Sequence, residues 1–145
     1  MNHIAVHVAL AFGGYAAFLW AGVSGIAYLL QEHQLKAKDP ACLARSGVSL
    51  ETLDRTNLRS LWIGFTLFTL GVVNGLWLAR GRIGPTDAKT VFTLVIWAAY
   101  AALLGIRTTA LSRGPKVATM SILCLLLIGF TLIGVRHFGT QHVFF

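Results

Sequence analysis

Charged residues are scarce in this chain. Only 12% of its 145 residues are Asp, Glu, Lys or Arg, whereas 56% are hydrophobic, and the mean hydropathy is +0.71. Soluble domains carry charge on about a quarter of their residues. The shortage of charge therefore argues against a soluble globular protein and favours a membrane protein.

Cysteine is also rare, and familiar catalytic motifs are missing. The two cysteines, Cys42 and Cys124, stand alone, outside any C-x-x-C or C-x-x-C-H arrangement. The sequence therefore argues against thiol exchange and against covalent haem attachment. It also contains no recognisable pairing of a nucleophile with a base, no acid–base pair and no P-loop. The chain is expected not to be an enzyme.

Four stretches of the chain contain no charged residue. They predict transmembrane helices at about 4–30, 60–79, 90–106 and 117–135, because roughly 20 apolar residues cross the hydrocarbon of a bilayer. The third is short, but about 17 residues suffice, and Lys89 and Arg107 at its ends can extend outward to the membrane surface. Since the stretches lack the alternation of barrel strands, the sequence predicts an all-α integral membrane protein, with residues 1–145 as one membrane domain.

The distribution of basic residues predicts the orientation. Eight Lys and Arg residues lie in the loop 31–59 and the segment 107–116, whereas four flank the opposite ends of the helices. Cytoplasmic loops carry the excess of positive charge. Loop 31–59 is therefore expected in the cytoplasm and both termini on the outer, periplasmic side. The net charge of +7 is explained by these flanking residues and does not indicate nucleic-acid binding.

Local signals predict helix inside the long loop as well. Residues 31–38 continue the first helix in polar form, and Asp39-Pro40 stops it. Ser49 is a suitable N-cap for a helix that runs into the second span. Glu51 and Arg55 are four residues apart on that helix, which predicts an ion pair on a solvated face.

Small residues in the first two spans predict close helix packing. Gly71 and Gly75 form a small-xxx-small pattern in the second span, and the first span is also rich in glycine. Such residues let transmembrane helices approach one another closely. Asn74 lies between the two glycines, where a hydrogen bond to another helix or a contact with a ligand would satisfy it.

Four of the five histidines lie at one edge of the predicted bundle. His3 and His7 open the first span, four residues apart and hence on one helix face, and His137 and His142 follow the last span. Histidines at this level are either polar side chains at the membrane surface or axial ligands of a haem iron, delivered by separate helices. Either member of each pair fits the second interpretation. A positive rim on the same face, suited to anionic haem propionates, is formed by Arg80, Arg82 and Lys89.

Short motifs spread over residues 7–142 occur in a recognisable order. They are His7, Tyr15-Ala16, Leu29-Leu30-Gln31-Glu32, Leu35-Lys36-Ala37-Lys38, Ser49-Leu50-Glu51-Thr52-Leu53-Asp54, Gly64-Phe65, Leu67 to Gly71, Asp87, Lys89, Trp97, Tyr100 and Arg107. This order resembles the cytochrome c assembly family of haem-handling membrane proteins, the CcsA/CcmC/HemX-like group. The HemX-like branch is nearest, and the chain resembles a form of it reduced to a four-helix core.

The resemblance implies a haem site at the outer face. It makes His7 and His142 the two iron ligands of a non-covalent, b-type haem. It also makes loop 80–89, with Arg82 and Asp87, the counterpart of the loop that supports haem in the family. The tryptophans of that loop are absent here, and Ala88 stands where the family has proline.

The expected function is that of a haem-binding membrane protein of the cytochrome c assembly type, in the inner (cytoplasmic) membrane of a bacterium. The alternative is a non-catalytic accessory subunit of a larger membrane complex, derived from the same fold, which the missing tryptophans motivate. The expected partners are the lipid bilayer and membrane proteins that supply further helices or receive haem.

Overall fold

A computed structural model of the chain describes residues 3–37, 47–78, 88–109 and 115–139. These residues form four α-helices: α1 (His3–Lys36), α2 (Leu50–Leu78), α3 (Ala88–Thr109) and α4 (Pro115–Gly139). Each of the four predicted spans therefore coincides with one helix. Side chains are described in these ranges except at 3–4, 78, 88–89, 131–132 and 134–139.

Length and composition suit these helices to a membrane. Within the described part of the chain, Ala5–Lys36, Leu50–Trp77 and Thr90–Thr109 are long and apolar enough to span a bilayer, and Pro115–Phe130 is a shorter apolar stretch of α4. Many outward side chains are large and apolar, such as Phe12 at 72% and Phe130 at 71% exposure. Such a surface fits hydrocarbon rather than water, and the prediction of an all-α membrane protein is confirmed.

Local capping signals set the start of α2. The hydroxyl oxygen of Ser49 accepts a hydrogen bond from the backbone N–H of Thr52 at 3.2 Å, as an N-cap does. The predicted ion pair between Glu51 and Arg55 is present at 3.2 Å, and both side chains are largely exposed. α2 then continues without a break to Leu78, and α1 extends in polar form to Lys36. The predicted helical segments inside loop 31–59 are therefore confirmed within the described residues.

Glycines bring α1 and α2 into close contact. A Cβ atom added at Gly14 would lie 3.2 Å from the backbone nitrogen of Phe68, and one at Gly71 would lie 3.5 Å from the backbone nitrogen of Ala11. The two backbones therefore approach each other as the small-residue pattern predicts. Asn74 does not form the expected interhelical bond through its carbonyl oxygen within the described residues, because Oδ1 is buried without a hydrogen-bond partner among them.

The hydrophobic core is built around an aromatic cluster. Phe18 of α1 stacks on Tyr100 of α3 with ring centroids 3.7 Å apart, and it meets the edge of Phe68 of α2 at 5.8 Å. Phe18 and Tyr100 are fully buried. Aromatic pairs in these offset and edge-on arrangements stabilise a core beyond the area they bury, so the cluster fixes α3 against the α1–α2 pair.

The helices run alternately up and down. Gly22 of α1 lies next to Leu125 of α4, and Gly25 lies next to Ala118. Residue numbers therefore rise along α1 in the direction in which they fall along α4, and the two helices are antiparallel. His7 at the start of α1 lies beside Gly75 near the end of α2. One end of the bundle, which we call the His7 end, therefore holds the starts of α1 and α3 and the ends of α2 and α4.

A buried polar cluster joins the helices at the opposite end. The guanidinium of Arg107 in α3 donates to the carboxylate of Asp54 at 2.7 Å and to Oδ1 of Asn57 at 2.5 Å. Asn57 donates to the backbone carbonyl of Ala21 in α1 at 2.7 Å, and Ser121 of α4 donates to Oδ1 of Asn57 at 3.3 Å. We call Asp54, Asn57, Arg107 and Ser121 the polar junction, which ties together all four helices.

Arg107 thus lies inside the bundle, and the expectation that it extends outward to the membrane surface is wrong. Its side chain is only 4% exposed, and that of Asp54 is 25% exposed. A buried guanidinium needs a charge partner and further acceptors to offset the loss of hydration. Arg107 has both, because the backbone carbonyl of Asp54 accepts a third bond at 2.7 Å.

Candidate functional site

His7 is held in one orientation by the backbone of α2. Its Nδ1 lies 2.9 Å from the carbonyl oxygen of Gly71. A carbonyl oxygen only accepts hydrogen bonds, so Nδ1 carries the proton and donates it. In the neutral ring, Nε2 is then the nitrogen that keeps its lone pair. This is the tautomer in which a histidine binds a metal through Nε2.

Gly75 provides the space that the imidazole occupies. A Cβ atom at this position would lie 2.8 Å from Cε1 and 3.2 Å from Nδ1 of His7. Contacts under 3.0 Å force one group to move, and the ring is already tied to Gly71. The glycine pair of α2 therefore has two functions: Gly71 supplies the acceptor for His7, and Gly75 supplies the room.

A cavity of about 180 Å³ lies beside His7, between the α1–α2 pair and the first turns of α3. Its walls are mostly apolar, with the imidazole and two hydroxyls as polar groups. The lining residues are His7, Val72, Gly75, Leu76, Thr90, Thr93 and Leu94. Few polar groups among apolar walls are typical of a site for a small molecule or cofactor.

One helical turn below the cavity, α2 and α3 come together. The indole Nε1 of Trp97 donates to the hydroxyl of Thr69 at 3.0 Å, and its ring stacks on Phe65 with centroids 5.7 Å apart. Val72 and Thr93, one helical turn further toward the His7 end, already line the cavity. α2 and α3 are therefore joined below the cavity and separated beside it.

The other predicted site residues lie at the edge of the described structure or beyond it. His3 is in the first turn of α1, and His137 is in the last turn of α4, so both belong to the His7 end, although their side chains are outside the described set. His142, Arg82 and Asp87 lie outside the described residues altogether. Among the side chains that the structure does describe, no three of His, Cys, Asp and Glu gather around a possible metal position.

Sequence reasoning missed the surroundings of His7. The sequence predicts helix packing as the role of Gly71 and Gly75, and it gives no signal that Thr90 and Thr93 line a cavity. The signal that could have connected them is the spacing of the two glycines, because residues four apart share one helix face. That signal becomes useful only once the register between α1 and α2 is known.

Comparison with known proteins gives a consistent match. The family model named Cytochrome C assembly protein matches residues 1–142. The cytochrome c biogenesis protein CcsA of Guillardia theta is 28% identical over 156 residues, which cover 95% of this chain and 52% of the relative. The protein of the same name from Parasynechococcus marenigrum (strain WH8102) is 26% identical, with 94% of this chain and 52% of the relative covered. CcsA of Prochlorococcus marinus (strain MIT 9312) is 30% identical, with 81% and 40% covered.

The match covers nearly all of this chain but only part of its relatives. The chain spans about half the length of the first two CcsA proteins. No solved structure matches it. Because the family model accounts for residues 1–142, the chain belongs to the cytochrome c assembly protein family.

Proposed function

We propose that the chain holds haem at the outer face of the membrane, as a protein of the cytochrome c assembly type, with His7 as an iron ligand. The observation that carries this proposal is the hydrogen bond from Nδ1 of His7 to the carbonyl of Gly71. A metal-ligating histidine usually donates its other ring N–H to such an acceptor, which fixes the tautomer and the ring orientation. Nε2 of His7 therefore keeps the lone pair through which the ring could bind iron.

The residues at the cavity fit one side of a haem. When bound, haem supplies the iron centre, and its chemistry is tuned by the axial ligands and their surroundings. The chain supplies apolar walls from Val72, Leu76 and Leu94 and the imidazole of His7. At about 180 Å³, the cavity is smaller than the roughly 300–1,000 Å³ of sites that enclose a drug-sized ligand. The described residues would therefore provide one part of the site.

The second ligand in this proposal is His142, with His137 and His3 as alternatives. α4 ends at Gly139, at the His7 end, so the residues that follow start from the same end of the bundle as His7. Arg82 and Asp87 belong to the connection between α2 and α3, whose flanking helix ends also lie there. Arg82 would pair with a haem propionate, since a guanidinium binds carboxylates with two parallel hydrogen bonds.

The orientation that we propose puts the His7 end outside and the polar junction near the cytoplasmic surface of a bacterial inner membrane. Asn57 and Gly75 lie about 27 Å apart along α2, given a rise of about 1.5 Å per residue. The hydrocarbon core of a bilayer is about 30 Å thick. His7 and Arg107 would therefore lie near opposite surfaces, and the excess of basic residues at the Arg107 end supports this direction.

A second candidate function is that of an accessory subunit in a larger membrane complex. It is motivated by loop 80–89, which contains none of the tryptophans that the family resemblance leads us to expect there. A partner that supplies the remaining helices, or one that receives haem, would cover part of the apolar surface, and lipid would cover the rest. We propose no reaction for this chain alone, and the HemX-like branch stays a prediction from sequence.

A haem titration of the apoprotein in mild detergent tests the proposal. We expect the wild-type protein to develop a saturable Soret band. Gly75→Ala should weaken haem binding by about 10–100-fold, the range for removing the support of a metal-ligating histidine, because the added Cβ would collide with His7.

Gly129→Ala is the matched control for this titration. It also replaces a glycine in a helix, but a Cβ there meets no atom of the described part of the chain within 4 Å. If Gly75→Ala binds haem as tightly as Gly129→Ala, His7 is not part of the haem site. A well-folded wild-type protein without a Soret band would leave the accessory-subunit function as the better account.

A further inference from the structure

The cavity beside His7 shares two of its wall residues with the outer surface of the helices. Two of its wall residues, Leu76 of α2 and Leu94 of α3, are also part of the outer surface, since they are 50% and 45% exposed. The same two side chains therefore border the cavity on the inside and the lipid-facing surface on the outside. Together they mark the two sides of a mouth between α2 and α3.

The depth of this mouth is limited by the contacts beneath it. The bond between Trp97 and Thr69 and the stacking of Trp97 on Phe65 join α2 to α3 one turn below the cavity. Further down, Arg107 ties α3 to α2 in the polar junction. α3 is therefore anchored to α2 along its lower part, and the two helices part only at the level of the cavity.

The surface around the mouth is apolar. Val73 on α2 and Val91 on α3 are 59% and 46% exposed, and both lie within a few residues of the two leucines. A charged or strongly hydrated molecule gains nothing from such a border. A flat molecule with an apolar body, dissolved in the bilayer, would pass it without taking that body out of hydrocarbon.

We propose that the ligand of this cavity enters laterally from the bilayer, through the mouth between Leu76 and Leu94. The inference rests on the proposed function, and the ligand is then haem that has partitioned into the membrane. Entry by this route leads to His7, whose Nε2 keeps its lone pair because Nδ1 donates to Gly71. The two leucines determine the rate at which the ligand arrives and leaves.

The rate of haem transfer from vesicles tests the route. Apoprotein in phosphatidylcholine vesicles is mixed with haem-loaded donor vesicles of the same lipid, and the Soret band is followed with time. Release is measured by the transfer of haem from the loaded protein to apomyoglobin.

Leu76→Trp and Leu94→Trp narrow the mouth, so each should slow uptake and release in parallel, by about tenfold. Leu126→Trp makes the same substitution on α4, where the side chain is 63% exposed and outside the cavity lining, and it should leave both rates unchanged.

The outcomes separate this inference from the function on which it rests. Uptake at the wild-type rate in both leucine variants would overturn the lateral route while haem binding stands. Faster release in those variants would also overturn it, because the leucines would then act by holding the bound ligand and not by limiting its passage. A wild-type protein that never acquires a Soret band would overturn the proposed function itself.

Discussion

Replacing His7 with alanine is expected to weaken haem binding by at least about 100-fold. Loss of a group that merely supports a ligating histidine already costs about 10–100-fold in metal affinity, and His7 is the proposed ligand itself. The substitution removes Nε2, which the bond from Nδ1 to Gly71 holds as the lone-pair nitrogen. Haem affinity is measured by titration of the apoprotein, with absorbance at the Soret maximum as the signal.

His33→Ala is the control for this result. His33 is in the last turn of α1, at the end of the bundle opposite the cavity, and it is exposed. The control should bind haem with wild-type affinity. If His7→Ala also keeps that affinity while its thermal unfolding matches the wild type, His7 is a polar residue at the membrane surface and not an iron ligand.

Replacing Arg107 with alanine is expected to lower the free energy of unfolding by about 3–5 kcal/mol, the usual loss when one member of a buried ion pair is removed. The substitution leaves the carboxylate of Asp54 and Oδ1 of Asn57 without their main donor. Because the polar junction joins all four helices, the whole bundle should unfold more easily. Thermal unfolding in mild detergent, followed by circular dichroism at 222 nm, measures the change.

Arg55→Ala provides a matched control, since Arg55 also pairs with a carboxylate of α2. Its partner Glu51 is 81% exposed and Arg55 itself 62% exposed, and exposed pairs of this kind contribute about 0–1 kcal/mol. The control should unfold close to the wild-type temperature. Equal melting temperatures for Arg107→Ala and Arg55→Ala would show that the polar junction does not stabilise the bundle.

The helices could be predicted from the sequence because their signals are local. Four charge-free runs predict the four helices, and Ser49 predicts the start of α2 ahead of its apolar part. The pairing of Glu51 with Arg55 follows from a spacing of four on one helix. Each of these depends on neighbouring residues alone, and each is present in the structure.

The interior contacts could not be predicted, because they depend on how the helices are rotated and shifted. Arg107 stands at the end of an apolar run, where extension to the surface is the ordinary outcome. Only the position of α2 against α3 brings Asp54 and Asn57 within reach of it. Asn74 shows the reverse case. This polar residue is expected to bond across helices, but its carboxamide oxygen has no partner among the residues that the structure describes.

Only part of the candidate site could be predicted from the sequence. His7 was identified by its position at the edge of the first span and by the family resemblance, and the structure places it beside a cavity. Its acceptor Gly71 is 64 positions further along the chain, and no local pattern reports such a contact. His142, Arg82 and Asp87 remain predictions, since they lie outside the described residues.

The central claim is that two histidines from separate helices hold one haem at the His7 end. Oxidised and reduced absorption spectra of the protein purified in mild detergent from haem-replete cells test it most directly, beside the same spectra for His7→Ala and His142→Ala. We predict a low-spin, six-coordinate haem spectrum in the wild type that each substitution abolishes. A low-spin spectrum that survives both substitutions, or a flat spectrum from well-folded wild-type protein, would contradict the claim.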